Sequence, residues 1–170
     1  MNDLLLLAML LPGPKYGYQL KREAGWMMGQ EEMHNNIVYP MLRRFLTEKW
    51  VSKRAVPGDR GQTRQQYALT TEGRKTFFER MNSFSESDAS SEEAFSLRLG
   101  VFAGLRPASR EAVFSGREKY LERLDGKLAT LQASMDLGKF GAEIIRYKRK
   151  QIAMEQEWIR HLRRIAKTLK

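Results

Sequence analysis

The chain has 170 residues and a formal net charge of +10, from 30 Lys+Arg against 20 Asp+Glu. With no Cys and only His34 and His161, the composition excludes a disulfide scaffold, a thiolate zinc site and a cysteine nucleophile, and argues against a multi-histidine metal centre. The length suits one domain or a small domain with an appendage, and the positive surplus points to a polyanionic partner without saying which.

The longest apolar run is Leu4–Leu11, far below the roughly 20 residues of a bilayer span. Asp3 stands where a secretory leader carries positive charge, and Pro12-Gly13-Pro14 follows in place of a small-residue cleavage site. The run therefore reads as a short buried helix stopped by proline, and the chain as cytoplasmic with no membrane partner. A second helix is predicted over Lys15–Met27, where Tyr16, Leu20, Ala24 and Met27 make an apolar stripe. A third opens at His34-Asn35-Asn36, with Asn expected as its cap. Pro40 lies near the end of its first turn, where the missing N–H is tolerable. Ile37, Met41, Leu42 and Phe45 face inward, with Trp50 as a fifth candidate. Asn35, Asn36, Tyr39, Arg43 and Arg44 are left on other faces. Amides, a phenol and guanidinium groups suit a groove lined with phosphates and base edges.

Val51–Val56 and Arg64–Leu69 flank a Pro/Gly/Asp-rich turn, which predicts a hairpin. Its tip and shoulders carry Lys53, Arg54, Arg60 and Arg64. Thr70 or Thr71 then caps a helix over Glu72–Met81. Helix, helix, helix, basic hairpin, helix is the order of a winged helix-turn-helix, whose third helix enters the major groove while the hairpin touches backbone or minor groove. Protein-binding modules share the same outline.

Three blocks narrow the choice. Gly13-Pro14-Lys15-Tyr16-Gly17-Tyr18-Gln19-Leu20-Lys21, then Tyr39-Pro40-Met41-Leu42-Arg43-Arg44-Phe45, then Tyr67-Ala68-Leu69-Thr70-Thr71-Glu72-Gly73-Arg74 occur in this order. Together they resemble the PadR family of transcriptional regulators over most of residues 3–80. The resemblance implies a winged-helix DNA-binding domain, a C-terminal helical dimerisation region and, commonly, a repressor. It also implies Tyr18, Lys21 and Tyr39 as backbone contacts; Arg43, Arg44 and Arg64 join them on charge and placement. Three positions depart from the family pattern: Val38 before Tyr-Pro, Phe45 in place of the usual Leu, and Lys49 where a glycine commonly closes the recognition helix. Val38 and Phe45 read as changes in the core, whereas Lys49 bears on how the helix enters the hairpin.

Residues 82–105 carry one basic and four acidic side chains, a net −3 between +5 on residues 1–81 and +8 on residues 106–170. The serine-rich stretch from Asn82 marks the boundary of two packed parts. Beyond it, one helix is predicted from Pro107 to about Leu137 and a last one from about Ala142 to Leu169. Phe114, Leu121, Leu128 and Met135 repeat every seven residues, with Leu124 and Leu131 beside them. Ile145, Ile152 and Ile159 repeat likewise, next to Trp158. The stripes fit an intramolecular antiparallel hairpin, but two helices alone cannot enclose stripes this wide, so a second copy of the chain is the economical cover, through Phe114, Leu121, Leu124, Leu128, Ile145, Ile152, Trp158 and Ile159. The cations from Arg146 to Lys150 and from Arg160 to Lys167 are either a second DNA surface or a solvated face.

The family resemblance further implies that a small, often aromatic effector releases DNA in some members. Phe102, Phe114, Met135, Met154 and Trp158 are candidates to line its pocket, or are plain core. No Walker loop, G-x-S-x-G or H-E-x-x-H is present, so neither enzyme activity nor a metal or other cofactor is expected. The sequence thus predicts a mainly α protein. A winged helix-turn-helix with a two-stranded β-hairpin wing spans residues 1–81, a linker spans 82–92, and a C-terminal α-helical dimerisation region spans 93–170.

Overall fold

The leucine-rich run is helix α1 (Asn2–Met9), and burying Leu4, Leu5, Leu6 and Leu7 is what keeps so short a helix in place. A computed structural model describes residues 2–57 and 62–168, which fall into two units divided between Ser83 and Phe84. In the first unit, strand β1 (Lys15–Tyr16) leads into α2 (Gly17–Met27), and α3 (Asn35–Thr47) follows. Strands β2 (Val51–Pro57) and β3 (Thr63–Leu69) form the wing, and α4 (Thr71–Met81) closes the unit. The sheet order is β1-β3-β2, all antiparallel, with Lys15 and Lys53 both opposite Tyr67. This is the winged helix-turn-helix expected from sequence, with one short strand added. Lys15 and Tyr16 pair with β3 instead of starting α2, because their backbone groups find partners on the sheet edge. The core gathers Leu6, Leu7, Leu10, Leu20, Ala24, Val38, Leu42, Phe45, Phe77 and Met81, all nearly inaccessible.

Two local expectations are corrected. The N-cap of α3 is His34, whose side chain makes no cap bond, so Asn35 and Asn36 lie inside the first turn. At the other end, Lys49 adopts φ 58°, the left-handed conformation usually left to glycine. The amide of Trp50 then donates to the Phe45 carbonyl at 2.9 Å and that of Lys49 to Leu46 at 3.1 Å. Lys49 therefore closes α3 in the left-handed turn that suits glycine, and stores strain there. Thr70 caps α4, accepting from the Gly73 amide at 2.9 Å. Gly73 is obligatory for packing, since a Cβ there would lie 1.9 Å from the Trp50 carbonyl oxygen.

The second unit begins with α5 (Glu86–Ser90) inside the serine-rich stretch, where Ser85 and Asp88 form a reciprocal capping box. Ser91 caps α6 (Glu92–Gly100), a 3₁₀ turn spans Phe102–Gly104, and α7 (Pro107–Ser134) opens on a proline in its first turn. Helix α8 (Gly138–Ala166) starts four residues before the predicted Ala142. Ion pairs Arg163–Glu111, Arg117–Glu155 and Arg149–Asp125 link α7 and α8 in antiparallel register. Among the described residues, no helix is long and apolar enough to cross a membrane.

Substituting Lys49→Gly is expected to stabilise the chain by about 0.5–1 kcal/mol, the relief of left-handed strain less the added freedom of the unfolded state. An upward shift of the urea midpoint with unchanged slope checks it.

Candidate nucleic-acid interface

The outward face of α3 follows from which residues the core takes. Val38, Leu42 and Phe45 are buried. At about 100° per residue, Asn36, Pro40, Arg43 and Thr47 share the opposite face. All four are exposed. Among the described residues, Arg43 makes no ion pair, and its carbonyl accepts from the Thr47 hydroxyl at 3.2 Å. Thr47 was not singled out from sequence; only the helical wheel anchored on the buried residues brings it to this face.

The flanks are set by neighbouring elements. On one side Tyr39 lies over the start of α2, where a Cβ on Gly17 would come within 3.1 Å of its ring. The glycine of one sequence block and the tyrosine of the next are thus two halves of one contact. Burial raises the Tyr67 phenol above its ordinary pKa, and the Tyr39 phenol adds to the effect. Tyr18, half exposed in the first turn of α2, stacks on Tyr16 with ring centroids 5.8 Å apart. On the other flank Arg44 pairs with Asp3 at 3.3 Å and lies over the Phe45 ring. Lys21 is turned inward. Its ammonium pairs with Glu32 at 2.7 Å and its side chain is 16% exposed.

The wing separates residues that sequence grouped together. Cross-strand partners share a face and neighbours along a strand do not. Lys53, opposite Tyr67, therefore points away from the face that holds Arg54, Gln66 and Arg64. On that second face Arg54 donates to Gln66 at 3.4 Å. Arg60, also expected to contact DNA, lies outside the described residues.

Residues 6–79 match the Transcriptional regulator PadR-like family. The N-terminal unit is a PadR-like domain. Among solved structures, the chain is similar to Bacillus subtilis PadR in complex with operator DNA, at 16% identity over 94% of each chain and a TM-score of 0.47. It is also similar to a PadR family transcriptional regulator from Eggerthella lenta, at 27% identity over 46% of this chain and 66% of that one, TM-score 0.40. A transcriptional regulator from Clostridium thermocellum matches at 20% identity over 46% of this chain and 76% of that one, TM-score 0.42. No curated protein matches the chain.

Beyond the PadR-like domain, the helical unit redistributes the remaining candidates. Phe114, Leu121, Ile145, Ile152 and Ile159, expected to face a second copy, are buried inside the unit itself. Leu124 and Leu128 are partly covered, and Trp158 is 44% exposed. Phe102 and Phe114, candidates for an effector pocket, pack on each other with centroids 4.8 Å apart and belong to the core. Met135 sits at the end of α7, away from them. Met154 and Trp158 do share a groove of about 880 Å³ with Phe95, Leu121, Leu124, Leu128 and Ile152. Trp158 meets Phe95 edge to face there. The groove also holds Arg117, which sequence reasoning missed. Buried between α5, α7 and α8, it makes a two-pronged bond to Glu155 and donates to the Ala89 carbonyl at 2.8 Å.

Because Asn36 does not cap α3, Asn36→Ala is expected to leave unfolding free energy within about 0.5 kcal/mol of the unaltered chain, not the roughly 1 kcal/mol of a lost cap. Chemical denaturation measures it.

Proposed function

We propose that this chain is a sequence-specific, DNA-binding transcriptional regulator that acts in the cytoplasm as a homodimeric repressor on double-stranded operator DNA. The observation that carries the reading is the outward face of α3, where Asn36, Arg43 and Thr47 are exposed beside Tyr39. An amide and a guanidinium one to two turns apart offer the bidentate donors and acceptors that base edges in a major groove require. The wing supplies backbone contacts through one face only, that of Arg54 and Arg64.

A footprint on the DNA upstream of the chain's own gene tests this, against random duplex at the same salt. A protected two-fold site is expected, and Arg43→Ala is expected to weaken operator binding by about 1–3 kcal/mol. Equal affinity for operator and random duplex, or preference for RNA or a protein, would support a basic binding module instead.

The dimer is proposed to form through a face of α8 that keeps Trp158 from the set the sequence suggested but not Ile145, Ile152 or Ile159. Phe140, Ile144, Tyr147, Met154, Trp158 and Ile165 are exposed. They fall on one side of the helix, about 130° round from the row of Ile145, Ile152 and Ile159. This leaves an apolar strip that solvent does not favour. Met154 and Trp158 also border the α5–α8 groove, whose size suits a small aromatic or other hydrophobic effector. A ligand there would reach the side chains that meet the second copy, which supports a route from effector to DNA release. Met154→Glu combined with Trp158→Glu is expected to give a monomer of unchanged helicity. Sedimentation and circular dichroism read the two quantities.

A further inference from the structure

The carboxylate of Asp3 is shared among three elements of the first unit. Its Oδ1 accepts from the Leu4 amide at 2.8 Å, in the first turn of α1. Its Oδ2 accepts from Arg80 Nη1 of α4 at 2.8 Å and from Arg44 Nη2 of α3 at 3.3 Å. The anion is the inner member, with a side chain 16% exposed against 52% for Arg44 and 40% for Arg80. Burial alone would disfavour its charge, but the Arg80 hydrogen bond and charge, with the Leu4 amide, outweigh burial and hold the carboxyl below its ordinary pKa. Of the two cations, Arg44 has the longer bond and the more open side chain. Its neighbour Arg43 has no ion pair among the described residues, so of two adjacent guanidinium groups on α3 one is held by a carboxylate and the other is not.

We propose that Asp3 is a positioning residue for DNA recognition: it holds Arg44 at the flank of the α3 face and withholds that cation from the phosphates of non-operator DNA. This rests on the DNA-reading function proposed above. A cation already neutralised by a carboxylate displaces fewer counterions when it meets a phosphate. Each phosphate neutralised contributes about −0.9 to the slope of log affinity against log salt. Non-specific binding is almost wholly this term, whereas specific binding also draws on base contacts from Asn36 and Arg43. Asp3 therefore lowers binding to random DNA more than binding to the operator.

The test is the salt slope on a random-sequence duplex and on the footprinted operator, for the unaltered chain, Asp3→Asn, Arg44→Gln and the double variant. Asp3→Asn is expected to bind random duplex several-fold more tightly, to steepen the slope by about 0.9, and to lower the ratio of operator to random affinity. In the Arg44→Gln background the same change should add no steepening, which isolates Arg44 from Arg80. A merely structural Asp3 would weaken binding to both duplexes at unchanged slope, and would overturn the proposal. Steepening that persists without Arg44 would overturn it too. Should Asp3→Asn fail to fold, Arg44→Gln must still flatten the random-duplex slope less than Arg43→Gln does; equal flattening overturns the clamp. If the unaltered chain binds no duplex, the DNA reading itself fails, and a flat salt response with intact operator binding sinks the clamp alone.

Discussion

One turn ties the first unit together: the chain leaves α3 at Lys49–Trp50 and meets the start of α4 at Thr70–Gly73. The Thr70 hydroxyl donates to the Lys49 carbonyl at 2.7 Å and accepts from the Gly73 amide at 2.9 Å, while the Thr70 amide donates to Trp50 at 3.0 Å. Gly73 lets the two backbones come this close. The end of α3, the first residue of β2, the last of β3 and the cap of α4 are therefore fixed at a single point. If that point moved, the angle between helix and wing would move with it, and so would every side chain at the candidate interface. Lys49 tolerates a left-handed backbone because the surrounding bonds over-determine it.

Electrostatics then sorts a surplus that composition leaves undivided. Lys15 is paired with Glu23, Lys21 with Glu32 and Arg44 with Asp3. In the helical unit Arg117, Arg149 and Arg163 are consumed by links between α7 and α8. The exposed face of α3 keeps Arg43. Net charge is thus a poor guide to where a polyanion would sit, because a cation held by a carboxylate contributes little to the outside field. Of the two basic clusters on α8, Arg149 and Arg163 are spent on links to α7.

Much of the architecture was legible because it rests on local chemistry. Proline after a leucine run, a Pro/Gly-rich turn between β-compatible segments, and Thr-x-x-Gly before a helix specify their elements almost independently of context. Less legible was everything decided by a distant residue. Strand β1 depends on β3, some fifty residues away. Asn35 and Asn36 have strong cap propensity, yet the chain enters α3 one residue earlier, at His34. Lys53 and Arg64 look alike in sequence, and the register of the wing sends them to opposite faces.

By itself, the sequence determined the order of the main elements, though not β1 or α5, the winged helix-turn-helix with a helical arm, and the three motif blocks that mark the PadR-like domain. Periodicity also showed that α7 and α8 carry apolar stripes, since a repeat of seven is readable without any partner. Only the tertiary structure decided which stripe is spent. Ile145, Ile152 and Ile159 are closed off inside the helical unit, and a different side of α8 is left open. Likewise it alone decided that Arg43 is available while Arg44 is held by Asp3, because a salt bridge between residues 41 apart leaves no trace in local spacing. Local propensity fixes what each segment becomes; which of its faces and charges remain available depends on what the rest of the chain brings against it.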